Sequence, residues 1–184
     1  MSTSSIEVSI RPARPSDCSS LAALSIEVWL GTYIREGVNA FFADYVLAHY
    51  TVDQFSKALE DPSEHLLVSE TTDGINGYIR ITNNQPCPTG ALSNTEITTL
   101  YVQPRHHGKG IGQHLLQTGQ RLCEENGWGT PWLASNSENS AALAFYEKQG
   151  FKTVGQTHFE IQDKRYCNEV LLVEQQPSLN RRIT

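Results

Sequence analysis

The sequence has no C-x-x-C pair: its four cysteines, Cys18, Cys87, Cys123 and Cys167, are scattered. Such spacing frames neither a disulfide scaffold nor a zinc site, so no metal is expected and a reduced cytoplasm is the simplest setting. No apolar run approaches the ~20 residues a membrane helix needs. The opening M-S-T-S-S-I-E-V lacks the basic and apolar regions of a secretion signal. Basic charge is in deficit, with 14 Lys+Arg against 20 Asp+Glu and a formal net charge of −6. Nucleic acid selects basic faces and is disfavoured as a partner. The negative balance serves solubility, and it also suits a cationic small substrate, because a negative cleft concentrates cations. There is no internal repeat and no linker-like stretch, so a single domain over 1–184 is expected, with residues 175–184 as a frayed polar tail.

What is present is concentrated between Thr95 and Leu116. Residues 95–102, T-E-I-T-T-L-Y-V, are rich in β-branched and aromatic side chains and read as a strand that Pro104 ends. Gly108, Gly110 and Gly112 follow, and a helical apolar pattern starts at Ile111, Leu115 and Leu116. A strand, a glycine loop and a helix N-terminus make an anion site. Backbone N–H groups converge there, the helix dipole favours negative charge, and missing Cβ atoms allow close approach. The loop is not a Walker A sequence. It spaces its glycines G-x-G-x-G, not G-x-G-x-x-G, and the next strand runs into Asn136 rather than an acid, which disfavours a nicotinamide cofactor.

Two ordered blocks carry a family resemblance. L-Y-V-Q-P-R-H-H-G-K-G-I-G, followed by N-S-A-A-L-A-F-Y-E-K-Q-G-F, resembles the GNAT superfamily of acetyl-CoA-dependent N-acetyltransferases. His107, Gly110 and Gly112 fall on its [QR]-x-x-G-x-[GA] pyrophosphate loop, with His107 replacing the usual Gln or Arg. Asn139, Ala142, Phe145, Tyr146, Gly150 and Phe151 fall on its second block. S-I-E-V-W-L-G-T-Y and E-I-T-T-L-Y-V are further similar to bacterial spermidine/spermine N-acetyltransferases, while Q-D-K-R-Y-C-N-E departs from that subgroup's more acidic pattern.

Along the chain, residues 5–11 alternate as a first strand. Ser16 or Asp17 can cap a helix reaching about Trp29, and further helices are expected near 38–49 and 52–59. A hairpin is expected from 65–70 and 75–82 around T-T-D-G, and 83–94 reads as a surface loop. After the glycine loop, a helix to Asn126, a strand at 132–135, a helix at 139–149, and strands at 151–161 and 166–173 complete the pattern. Irregular alternation of this kind suits a mixed, largely antiparallel sheet with helices on both faces. The resemblance implies the GNAT-type seven-stranded α/β (α+β) sheet, with the central and following strands splayed to admit the cofactor.

Acetyl transfer from a thioester to an amine needs a held cofactor, a polarised carbonyl, a deprotonated amine and a protonated thiolate. The resemblance assigns the hold to the loop His107, Gly108, Lys109, Gly110, Ile111 and Gly112. It pairs the pantetheine arm with the backbone of Leu100, Tyr101 and Val102, where one N–H polarises the carbonyl. It makes Tyr146 the general acid, since a phenol of pKa ~10 is protonated at neutral pH. Glu96, four residues before Leu100 and on the same face if the strand alternates regularly, is the candidate base or cation contact; an ordinary solvated charge is its plain alternative. Asn139 matches a cofactor-binding position and equally an N-cap. Lys148 is placed near the phosphates, or is simply a solvated surface lysine. Trp29 and Tyr33 fall where such enzymes line the acceptor pocket, and they can hold an alkylammonium over their rings or serve only as core.

The expected activity is transfer of acetyl from acetyl-CoA to a small primary amine, a polyamine first. Amino acids, antibiotics and peptide N-termini are the alternatives within the class, a non-catalytic acyl-CoA sensor is the alternative outside it, and a homodimer is common in the family.

Overall fold

In the computed structural model, residues 9–34 and 36–173 are described. Of the expected first strand, 5–8 fall outside them, as does the tail from 175. The remainder forms β1 (Ser9–Pro12), and α1 (Cys18–Tyr33), α2 (Ala40–His49) and α3 (Val52–Glu60) follow. Next come β2 (Glu64–Thr71), β3 (Gly74–Asn83), β4 (Thr95–Val102), α4 (Ile111–Glu125), β5 (Trp132–Asn136), α5 (Ser140–Lys148), β6 (Phe151–Ile161) and β7 (Lys164–Val173). They make one seven-stranded sheet in the order β1-β2-β3-β4-β5-β7-β6. Only the β4–β5 pairing is parallel, and α4 is the crossover it requires.

Alternation sorts the side chains onto two faces. Leu67, Ile79, Ile81, Ile97 and Leu133 face α4 and α5, around Ile111, Leu115, Leu116 and Tyr146. Leu66, Val68 and Tyr78 face α1 and α3, around Leu21, Leu24, Phe55 and Ala58. Helices therefore cover both faces, as the sequence suggested.

Local chemistry explains the helix ends. Asn39 and Thr51 cap α2 and α3 by accepting the N–H groups of Phe42 and Gln54 at 3.2 and 3.1 Å. Asp17 is not a side-chain cap for α1. Its carboxylate instead accepts the Arg14 N–H at 2.8 Å and pairs with Arg11 at 2.7 Å, fastening a short 3-10 turn to β1. α1 runs to Tyr33 rather than stopping near Trp29, one further turn that sets the two rings 4.8 Å apart on one side of the helix. β7 begins at Lys164, two residues earlier than expected, because a two-residue turn closes the hairpin.

The stretch 84–94 is more than a surface loop. Cys87 and Ala91 cover Trp132, Val170 and Leu172 on the β5–β7 half of the sheet. Trp132 Nε1 donates to the Gln85 carbonyl at 2.9 Å, and Ser93 Oγ donates to the Thr130 carbonyl at 2.7 Å. The loop presses so closely on β6 that a Cβ at Gly155 would lie 2.5 Å from Thr89 Cγ2. Gly155 sits at a register shift in β6 that makes this approach possible.

Candidate active site

The site begins where β4 and β5 part. They pair only at Glu96–Trp132 and Ile97–Leu133. β4 then continues to Val102 and β5 to Asn136 with no further pairing between them. The backbone of Leu100, Tyr101 and Val102 is thereby left open toward β5, as an added strand would need.

At the end of β4 the chain turns through Pro104–His106 into the glycine loop. Gly108 and Gly110 have φ of +73° and +80°, a conformation glycine adopts without cost, and a Cβ on either would meet nothing within 4 Å. Gly110 is the N-cap of α4 and has no side chain to cap with. The N–H groups of Ile111, Gly112 and Gln113 are thus left without an intrahelical or capping partner. This cradle fits a pyrophosphate. His107 does not reach into it. Its Nε2 donates to the Val102 carbonyl at 2.8 Å, so the replacement of Gln or Arg ties the loop back onto β4. Lys109 Nζ lies 3.4 Å from His106 Nδ1 in an exposed position at the rim. Gly112 packs under Phe145 of α5, 3.6 Å from where its Cβ would be.

The far lip is α5. Asn139 caps it, accepting the Ala142 N–H at 3.1 Å, so that oxygen is committed to the helix. Tyr146 is 9% exposed, and burial raises its pKa above the ordinary 10.0, which keeps the phenol protonated at neutral pH. The Tyr33 hydroxyl is close enough to add to that effect. Lys148 ends α5, exposed to solvent. Between the end of α1 and the start of α5 lies a cleft of about 180 Å³ lined by Thr32, Tyr33, Asn136, Glu138, Asn139 and Ser140.

Tyr33 and Trp29 part company here. Tyr33 is 40% exposed at the cleft, whereas Trp29 is 3% exposed within a cluster formed with Val46, Ile161, Phe42 and Tyr45. Trp29 backs the wall and Tyr33 presents its ring.

Glu96 requires a correction. Regular alternation would put it on the face of Leu100, but the β3–β4 register skips Thr98: Ile81 pairs with Ile97 and Arg80 with Thr99. This bulge shifts the alternation by one residue, so Leu100 packs with the α4 core while Tyr101 turns to the α1–α3 side. Glu96, in line with Thr82 and Trp132, shares a face with Tyr101 and not with Leu100. Burial, reinforced by Glu64 and offset in part by Arg80, pushes its pKa from 4.5 up to about 7. Tyr101 Oη lies 3.3 Å from Tyr50 Oη, and burial holds both phenols neutral.

Sequence reasoning missed Glu138 and Asn136 in the cleft, Tyr50 beside Tyr101, and the Glu64–Arg80 pair near Glu96. Alternation marks Glu64 and Arg80 as facing one side of β2 and β3, but only the strand register brings them beside Glu96. Among the described residues no group of three His, Cys, Asp or Glu is placed to hold a metal ion, and no helix is long and apolar enough to cross a membrane.

The glycine turn at the head of α4, the unpaired ends of β4 and β5, and the buried phenol of Tyr146 in the core shared by Val102 and Ile111 are the features an acyl-CoA-dependent transferase needs. The family model of the acetyltransferase (GNAT) domain matches residues 29–162, and the chain belongs to that family: it is an acetyl-CoA-dependent N-acetyltransferase. An uncharacterised N-acetyltransferase of Mycobacterium tuberculosis is 30% identical over 121 residues, 65% of this chain and 72% of that protein. The N-alpha-acetyltransferase RimI of the same organism is 31% identical over 101 residues, 55% of this chain and 60% of RimI. The PaiA N-acetyltransferase from Thermoplasma acidophilum, solved in complex with coenzyme A, superposes with a TM-score of 0.69 at 19% identity, over 89% of this chain and 98% of that one. That last likeness is one of fold.

Proposed function

We propose that the chain acetylates a primary amine of a small cationic acceptor, a polyamine such as spermidine first, by direct attack on the thioester. The reading rests above all on the gap beyond Ile97 and Leu133, with an anion cradle at the end of β4 and Tyr146 on the opposite lip. The pyrophosphate lies against the N–H groups of 111–113, and the pantetheine arm runs along Leu100–Val102. The N–H of Leu100 or Tyr101 polarises the thioester carbonyl. Glu96, on the Tyr101 side of β4, takes the ammonium proton through water or holds the cation, and Tyr146 protonates the leaving thiolate.

Two observations favour a cationic acceptor. Glu138 is the one charged side chain lining the cleft, beside the exposed ring of Tyr33. The chain carries a net charge of −6, and cations gather at a negative cleft. The similarity to RimI favours a second reading, in which the acceptor is the α-amine of a peptide. An acetyl-CoA consumption screen over polyamines, amino acids, aminoglycosides and short peptides tests both. Turnover with spermidine or spermine supports the first reading; turnover confined to peptides replaces it with the second.

A further inference from the structure

Glu96 belongs to a row that crosses three strands. Glu64 on β2 stands opposite Thr82 on β3, and Thr82 stands opposite Glu96 on β4. Arg80 is on the same face of β3, two residues before Thr82. Two donors in the row are taken up by Glu64. Arg80 Nε and Thr82 Oγ1 reach the same oxygen of Glu64, Oε2, at 2.7 and 3.1 Å. The Glu64 side chain is only 12% exposed, so this arrangement is built into the sheet rather than afloat on it. Among the described residues nothing donates a hydrogen bond to the Glu96 carboxylate.

We propose that Glu64 and Arg80 are positioning residues for the transfer: Glu64 holds the guanidinium and hydroxyl that would otherwise settle on Glu96, and so leaves Glu96 free to accept a proton. The inference deepens the base role given to Glu96 and rests on it. The charges acting on Glu96 are Glu64 from β2 and Arg80 from β3. Asp61, ahead of β2, and Tyr78 act on Arg80 in turn. On the other side, β5 sets Trp132 beside Glu96, and residues 84–94 carry no charged side chain, only the Cys87 thiol. α3 contributes the exposed Asp53–Lys57 pair, closed on itself at 2.7 Å.

The arrangement makes two opposite demands. Without the Glu64 charge, Arg80 and Thr82 are free to turn to Glu96 and stabilise it as a carboxylate. Without the Arg80 charge, two carboxylates face each other with no cation between them. The experiment is the pH profile of kcat/KM with acetyl-CoA saturating, together with carbon NMR titration of the Glu96 carboxyl, identified by its loss in Glu96→Gln. Glu64→Gln lowers the Glu96 titration midpoint and the acid limb of the profile by about one pH unit or more, and Arg80→Gln raises both. Glu64→Asp and Arg80→Lys, which keep the charges, stay near wild type and control for a variant that folds poorly. Midpoints that do not move, or that move the same way in both Gln variants, overturn the inference. The NMR midpoint tests it even if the acid limb survives in Glu96→Gln, a result that would refute the base role alone.

Discussion

Glu96→Gln is the perturbation that bears most directly on the chemistry. In the folded protein the carboxyl titrates near 7, against an ordinary 4.5, chiefly because it is buried. With its pKa near 7, about one tenth of the enzyme carries an ionised Glu96 at pH 6 and about nine tenths at pH 8, so turnover with an amine should rise roughly tenfold across that interval before the acceptor's own ionisation contributes. Glutamine keeps the shape and removes the base. Turnover at the plateau should fall by ~10² or more, with the acid limb near pH 7 gone and KM for acetyl-CoA unchanged. Stability responds with its own sign. A raised folded-state pKa means stability is full below pH 4.5 and is lost as pH climbs through about 7. The displacement corresponds to roughly 3 kcal/mol at most, reduced to on the order of 1–2 by partial exposure. Glu96→Gln, which never ionises, should therefore gain thermal stability relative to wild type between pH 5 and 7, with the difference level above pH 8. Stopped-time acetyl-CoA consumption and calorimetric melting over that range are the assays. Parallel rate profiles for the two proteins would refute the base role, and a pH-independent difference in melting would refute the burial argument beneath it.

Tyr146→Phe keeps the ring and removes the buried donor, so turnover should fall by ~10²–10⁴ with acetyl-CoA affinity little changed; wild-type turnover with chemistry rate-limiting would assign the thiolate's proton to water. Gly110→Val places a branched side chain at a φ of +80° and in the open space before α4, so calorimetric titration should show weakened acetyl-CoA binding in a protein that still folds. Gly155→Ala sets a Cβ 2.5 Å from Thr89 Cγ2 and should cost ~1–3 kcal/mol in denaturant unfolding. Thr89→Ala should return part of that loss, and strict additivity of the two changes would deny the contact. If acidic groups steer the acceptor, added salt should raise KM for spermidine more than for a zwitterionic amine.

Residues 95–116 were legible as strand, glycine turn and helix because their signals are local. β-branched runs, prolines and glycines constrain the backbone where they stand, and the glycine turn and α4 fell where they were read. The bulge at Thr98 had no such signal. Thr98 and Thr99 are both ordinary strand residues, and only the mismatch with β3 shows that one is extra. That single residue moved Glu96 to the other face from Leu100. Residues 84–94 looked like a loop because their prolines and glycine forbid regular structure, yet what they cover, Trp132, Val170 and Leu172, lies far along the chain, beyond any local pattern. Trp29 and Tyr33 share one helical stripe, and which ring stays open depends on α2 and the β6–β7 hairpin closing over the other.

Because β4 and β5 share only two residue pairs, the sheet is mechanically two plates: β1–β4 on one side and β5, β7 and β6 on the other. The loop 84–94 leaves the first plate at β3 and is riveted to the second by Trp132–Gln85 and Ser93–Thr130, while Thr95 Oγ1 donates to the Trp128 carbonyl at 3.0 Å. All three fastenings lie at the paired end of the seam. The plates are thus joined strand to strand at one end and parted at the other, so that the seam is open beside Leu100–Val102 and closed beside Glu96. A long, thin cosubstrate has room at the parted end without disturbing the carboxylate at the joined one.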